Sequence, residues 1–210
     1  MIAPPPSDGS PVPLGSVGAD DLQEQVRRRL NAVGCRHVHV ESLARRDWWG
    51  VIAYATTSDY WRCFDSLESL MSDVEYATTV REIWTATNGL SPQEAERRLL
   101  KHGRTISRDM WMTAADAVAY GALPEQVTVY RGGVQGCETG WSWSLTLETA
   151  EHFACGLTDG DGQRRVVASG TVSKHDVIAL FTGNWEEQEV IVPGHLVTVV
   201  SIADQPADPG

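Results

Sequence analysis

A cluster of acidic residues runs directly into an apolar segment in the last quarter of the chain. Glu187, Gln188 and Glu189 precede the valine and isoleucine side chains of residues 190–192. On a strand, side chains alternate between faces, so Glu187 and Glu189 would share one face, roughly 6.5–7 Å apart. Two carboxylates so close are costly unless a cation or a transition state uses them. The pair therefore indicates a site that handles positive charge, although an acidic, solvated strand edge has the same pattern.

Two earlier motifs, Y-R-G at 130–132 and S-W-S at 142–144, contain residue types suited to a phosphate-bearing ligand. The planar guanidinium of Arg131 can bind a phosphate through two hydrogen bonds, and glycine lets a ligand approach the backbone closely. On a strand, Ser142 and Ser144 would place both hydroxyls on one face. Taken alone, each motif is weak evidence for a ligand site. Arg131 could equally form a surface salt bridge, and S-W-S could be a half-buried strand whose serines face solvent.

The elements expected around these motifs divide the chain into a mainly helical first half and a β-rich second half. Capping residues and apolar spacings of three and four predict helices at 22–33, from Ser58 across 60–70, at 92–102 and at 107–120. β-rich segments bounded by turn residues predict strands at 127–130, 141–145, 165–172, 177–181, 189–192 and 196–202, with one helix at 147–155. We therefore expect an α+β fold in which both halves share one core.

The segment boundaries follow from shifts in composition. Residues 1–19 are rich in Pro, Gly and Ser and are expected to form a disordered tail, and residues 203–210 a second, loose tail. Between them we expect a helical region at 20–123 that packs on a β-rich core at 124–202.

Charge and hydropathy exclude several classes of function. The 210-residue chain has a net charge of −11, which argues against a surface that follows the phosphates of DNA or RNA. It contains no run of 18 apolar residues. It also lacks the basic and apolar regions of a signal peptide. These features predict no membrane partner and a cytoplasmic location, in the producing, host or recipient cell.

The cysteines and histidines predict no metal site. The cysteine spacings fit no zinc template, so free thiols in a reducing compartment are expected at Cys35, Cys63, Cys137 and Cys155. His37 and His39 could both ligate a metal, but the sequence places no third ligand nearby.

In their order along the chain, the three motifs resemble the R-S-E class of mono-ADP-ribosyltransferases. An arginine lies on the first strand, S-x-S on a second with a helix behind it, and E-x-E opens a later strand. That class includes arginine-modifying bacterial toxins, vertebrate ecto-enzymes and small bacteriophage proteins. The resemblance covers residues 127–202 and is most specific in E-x-E followed by V-I-V and in the stretch S-W-S-L-T-x-E-x-A-x-x-F. It implies an ADP-ribosyltransferase-like split β-sandwich that follows the helical half.

The resemblance implies an NAD site around the first two motifs. Arg131, between Tyr130 and Gly132, would bind the phosphates of NAD. Ser142 would brace the NAD pocket and orient the catalytic glutamate, and Ser144 would have a lesser, structural part.

The E-x-E motif would supply the chemistry. Glu189 would be the catalytic residue, and Glu187 would engage the acceptor nucleophile. Trp185, on the preceding loop, is our candidate for contact with the protein substrate. One departure is Trp143, which stands where the class commonly has threonine in S-x-S; we expect it to face the core with no chemical role.

The function implied is transfer of ADP-ribose from NAD to a protein, with release of nicotinamide. Glutamate at position 187 favours arginine as the acceptor, since enzymes of this class with glutamate there tend to modify arginine. NAD would be a co-substrate, the acceptor a host or target-cell protein, and no metal would be needed. Two alternatives share the motifs: an NAD glycohydrolase toxin, and a non-catalytic relative that binds a partner protein.

Overall fold

A computed structural model describes residues 19–35, 39–87, 90–155, 164–183 and 188–204. The chain divides into two compact units, Met1–Leu67 and Glu68–Gly210. The expected tails at 1–19 and 203–210 lie outside the described residues except for Ala19, Ala203 and Asp204, and the last two belong to a strand. Among the described helices, none is long and apolar enough to cross a membrane.

The first unit consists of short helices around a small apolar core. Its helices are α1 (Ala19–Ala32), α2 (Val40–Ala44), α3 (Trp48–Ile52) and α4 (Tyr60–Leu67). Two residues after the end of α1 lies Gly34, whose φ of 81° is a left-handed conformation that glycine adopts at little cost. Asp47 caps α3 by accepting a hydrogen bond from the backbone of Gly50 at 2.8 Å. The side chains in its core include Val26, Leu30, Trp48, Ile52, Phe64 and Leu67.

The expectation of four free thiols is wrong for two of them. Cys35, just after α1, forms a disulfide with Cys63 in α4. The two cysteines are 28 residues apart, and only the packing of the helices brings them together, so their spacing carried no signal. Cys137 and Cys155 do not take part in a disulfide.

Reduction of the Cys35–Cys63 bond is expected to destabilise the first unit. The bond closes a loop between residues 28 apart and so restricts the unfolded chain, an effect worth about 3 kcal/mol. Urea denaturation with and without reductant should show this loss, and a Cys155→Ser variant should show the same loss as wild type. Four reactive thiols in the denatured, unreduced protein would contradict the bond.

In its described residues, the second unit contains the α-helices α5 (Asp73–Ala86), α6 (Pro92–Leu99), α7 (Ala114–Ala122) and α8 (Leu147–Cys155). The predicted helix at 147–155 is confirmed, and the one at 92–102 ends three residues early. The single helix predicted at 107–120 is wrong. A short 3-10 turn at Arg108–Trp111 is followed by a new helix, because the Thr113 side chain caps the backbone N–H of Asp116. The sequence-based prediction has no counterpart of α5.

Six antiparallel strands form one sheet in the order β4-β5-β2-β1-β3-β6. They are β1 (Gln126–Val134), β2 (Ser142–Ser144), β3 (Arg165–Ser173), β4 (Ala179–Thr182), β5 (Gln188–Ile191) and β6 (Thr198–Asp204). All six predicted strands are present with shifted ends, and the α+β class with a helical N-terminal half is confirmed. A single residue pair, Tyr130 with Ser144, joins β1 to β2. The sheet is therefore two three-stranded halves that meet at one point.

The two faces of the sheet are covered differently. One face carries an apolar cluster that includes Val127, Val129 and Trp143, so Trp143 faces the core as expected. On the other face, α8 packs on β1 and β3 around Ala150 and Val167. Strand alternation thus assigns each motif residue to one face or the other.

Candidate active site

The three strands that carry the motifs are neighbours in the sheet, in the order β5-β2-β1. Ser144 lies directly opposite Glu189 on one side and opposite Tyr130 on the other. Directly opposed residues of antiparallel strands project from the same face, with Cβ atoms roughly 4.5–5.5 Å apart. Tyr130, Ser144 and Glu189 therefore form one row across the sheet, on the face that α8 partly covers.

Glu189 is half-buried and has a partner that the sequence did not suggest. The indole N–H of Trp84 donates a hydrogen bond to Oε1 of Glu189 at 2.8 Å. Trp84 lies near the end of α5 and is only 6% exposed. The capping box of Ser72 and Glu75 signals the start of this helix in the sequence. The contact between Trp84 and Glu189, 105 positions apart, could not be predicted without the fold.

The two serines of S-x-S differ in their surroundings. Ser144 is buried, and its Oγ accepts a hydrogen bond from the Thr146 backbone N–H at 3.0 Å, at the turn into α8. Ser142 is partly buried and pairs with Ile191, two residues beyond Glu189. The strand register therefore makes Ser144 the direct neighbour of Glu189 and Ser142 a diagonal one. The expected role of Ser142 in orienting Glu189 stays a prediction.

Arg131 lies next to this row on β1, but strand alternation puts its side chain on the opposite face, with Val129. Its Nε donates to the carbonyl oxygen of Cys137 at 2.7 Å, and its Nη1 donates to the carbonyl oxygen of Ser142. The pKa of the Arg131 guanidinium lies below its ordinary value, because the lowering by burial exceeds the raising by Cys137 and by the carboxylate of Glu189. The two hydrogen bonds of Arg131 thus stabilise the connection between β1 and β2. The guanidinium is also close enough to Glu189 to interact with its charge.

The two residues that flank Arg131 meet α8. A Cβ added at Gly132 would lie 1.7 Å from the carbonyl oxygen of Ala150 in that helix. Tyr130 packs against the cluster that contains Ala150, Ala154 and Val167. Gly132 was predicted to let a ligand approach the backbone, but it is the backbone of α8 that approaches it. This contact fixes the position of α8 beside the row of Tyr130, Ser144 and Glu189.

Glu187 and Trp185 lie outside the residues that the structure describes, but the strand that leads toward them is firmly held. Asp116 of α7 is fully buried and accepts hydrogen bonds from the backbone N–H and the hydroxyl of Thr182, at 2.7 and 2.5 Å. It also pairs with Arg81 of α5 at 3.2 Å. Burial raises the pKa of Asp116, but its hydrogen bonds with Thr182 and Thr113 outweigh burial and lower that pKa below its usual range. A charged Asp116 therefore anchors the end of β4.

Within the part of the chain that the structure describes, no group of three or more His, Cys, Asp or Glu side chains could hold a metal ion. His37 lies outside that part, and the ring of His39 contacts Ser42 and stacks on Tyr54 in the first unit.

Comparisons of the chain with models of known protein families, with curated proteins and with solved structures found no match.

Proposed function

We propose that this chain is a mono-ADP-ribosyltransferase that moves ADP-ribose from NAD to an arginine side chain of a protein and releases nicotinamide. One observation supports this most strongly: the strands that bear Arg131, S-x-S and Glu189 are consecutive neighbours in the sheet, although Glu189 lies more than forty residues after S-x-S. Ser144 joins them by pairing with both Tyr130 and Glu189. A sheet of two halves joined at one pair is also compatible with a split β-sandwich.

Glu189 is suited to the bond-breaking step. Cleavage of the nicotinamide–ribose bond develops positive charge on the ribose, as in the oxocarbenium-like transition state of glycoside hydrolysis. A carboxylate that binds the ribose 2′-OH beside this charge stabilises the transition state more than the ground state. Glu189 is half-buried and already holds a hydrogen bond from Trp84, so its carboxylate has a defined position before NAD binds.

The NAD phosphates are assigned to Arg131, next to Ser142. Both carbonyl contacts of the Arg131 guanidinium are internal, to Cys137 and to Ser142. These contacts use two of the five N–H donors of the guanidinium, so donors remain for a charge-assisted hydrogen bond to a phosphate oxygen.

Transfer to the acceptor is assigned to Glu187 and Trp185. Trp185 would contact the protein substrate while Glu187 orients the incoming guanidinium. A guanidinium nitrogen then bonds to C1′ of the ribose as the bond to nicotinamide breaks. The attacking nitrogen loses one proton, and Glu187 is the residue assigned to accept it.

The proposal is tested with agmatine, a small guanidinium compound, as the acceptor. Purified protein, NAD and agmatine should yield ADP-ribosyl-agmatine and at least an equal amount of nicotinamide, both measured by mass spectrometry. Cadaverine, which carries amines and no guanidinium, is the matched acceptor control and should yield no adduct. Nicotinamide with free ADP-ribose alone would instead favour a glycohydrolase, and no turnover by folded protein would favour a binding protein.

Glu187→Gln should separate the two halves of the reaction. Transfer to agmatine or to protein should be lost, because the guanidinium loses its charged partner. Hydrolysis of NAD should persist in part, because Glu189 still stabilises the ribose cation. Both products are measured in one assay, and equal loss of transfer and hydrolysis would refute this division of roles.

A further inference from the structure

We infer that Trp84 is a positioning residue for Glu189 and that helix α5 is part of the catalytic centre. This inference rests on the proposed function, which assigns the chemistry to Glu189. It adds a residue from outside the three sequence motifs, because Trp84 precedes the first of them by more than forty positions.

The contact is buried and direct. Trp84 is 6% exposed, and its Nε1 lies 2.8 Å from Oε1 of Glu189, the usual length of an N–H···O hydrogen bond. An indole N–H only donates, so it can hold Glu189 as an acceptor and cannot take a proton from it. A carboxylate has two oxygens and about four acceptor positions, and the indole donor occupies one of them.

Helix α5 is fixed to the same row of the sheet by a second contact. Phe181 on β4 lies directly opposite Glu189, and the guanidinium of Arg81 is placed over the Phe181 ring at 5.3 Å. Arg81 also forms the ion pair with buried Asp116. One turn of α5 therefore contacts both Glu189 and its neighbour across the sheet, and this places the Trp84 indole beside the Glu189 carboxylate.

The expected effect of losing this contact is on the rate rather than on NAD binding. A hydrogen bond to a charged group contributes about 1.5–3 kcal/mol, which corresponds to roughly a 10- to 100-fold change in rate. A carboxylate free to rotate is misplaced for much of the time, and small misplacements of catalytic groups are costly. The phosphates and adenine of NAD have no part in this contact.

The test replaces Trp84 by phenylalanine, which keeps an apolar ring and removes the donor. Trp84→Phe should lower kcat for NAD turnover about 10- to 100-fold and change KM for NAD less than about threefold. Trp111→Phe is the matched control: Trp111 is also buried, at 3% exposure, and packs near Tyr76 away from Glu189, so kcat should stay within about twofold. In a Glu189→Ala background, which offers the indole no acceptor, Trp84→Phe should cause no further loss, because Trp84 acts through the side chain of Glu189.

A spectroscopic readout separates this inference from the proposed function. In a ¹H–¹⁵N spectrum, the indole signal of Trp84 is the one that disappears in Trp84→Phe. Glu189→Ala should shift that signal more than any other indole signal, whether or not the protein turns over NAD. An unmoved Trp84 signal, or an unchanged kcat in Trp84→Phe, would overturn the inference. A Trp84 signal that shifts in a protein with no NAD turnover would refute the proposed function and confirm only the contact.

Discussion

Replacing Glu189 by glutamine should reduce the rate of NAD turnover about 10²- to 10³-fold while the protein stays folded. Glutamine has nearly the same shape and can still accept the Trp84 hydrogen bond, but it lacks the negative charge that stabilises the ribose cation. The loss should fall on kcat, with NAD affinity largely kept, because the charge acts on the transition state. Steady-state release of nicotinamide measures the rate, and calorimetry measures NAD binding.

Glu125→Gln is the matched control for this experiment. Glu125 is exposed just before β1, so the same change of charge there should leave kcat within about twofold. Wild-type rates in Glu189→Gln would remove the central residue from the mechanism. Equal losses in both variants would indicate an effect of net charge rather than of the site.

Replacing Gly132 by alanine should destabilise the second unit strongly. The added Cβ would lie 1.7 Å from the Ala150 carbonyl oxygen and 2.8 Å from the Ala154 backbone nitrogen, both of them backbone atoms of α8. Backbone cannot rotate away as a long side chain can, so α8 must move from the sheet. Overpacking of cores commonly costs about 1–3 kcal/mol, and we expect a loss at or above the upper end, measured by urea denaturation.

Gly121→Ala is the control for the change from glycine to alanine itself. A Cβ at Gly121 meets no atom within 4 Å, and the residue lies inside α7. Alanine should therefore stabilise this helix by up to about 1 kcal/mol. A Gly132→Ala protein as stable as wild type would contradict the close approach of α8 to Gly132. It would also contradict the position of α8 beside the candidate active site.

The strands and α8 could be predicted because their signals are local. β-rich segments bounded by turn residues indicated all six strands, and Thr146 as an N-cap indicated the helix at 147–155. Helix α5 escaped prediction although Ser72 and Glu75 signal its start. Its sequence holds six valine, threonine and isoleucine residues, which are poor helix formers, so packing overrides local preference.

The motif residues could be named from the sequence, but not their mutual arrangement. Whether Ser142 or Ser144 stands opposite Glu189 depends on strand register, which pairs Ser144 with it. The face on which Arg131 lies follows from the same register. Trp84 reaches Glu189 only because α5 packs beside β4 and β5, a contact between distant parts of the chain. The Cys35–Cys63 bond has the same long-range origin.

The most direct test of the proposed function is incubation of the purified protein with adenine-labelled NAD and a bacterial lysate. A transferase that acts through Glu189 releases nicotinamide, leaves label on a protein band, and loses both activities in Glu189→Gln. Mass spectrometry of that band would then identify the acceptor and show whether it is arginine. A folded wild-type protein that neither binds NAD nor releases nicotinamide would contradict the proposed function.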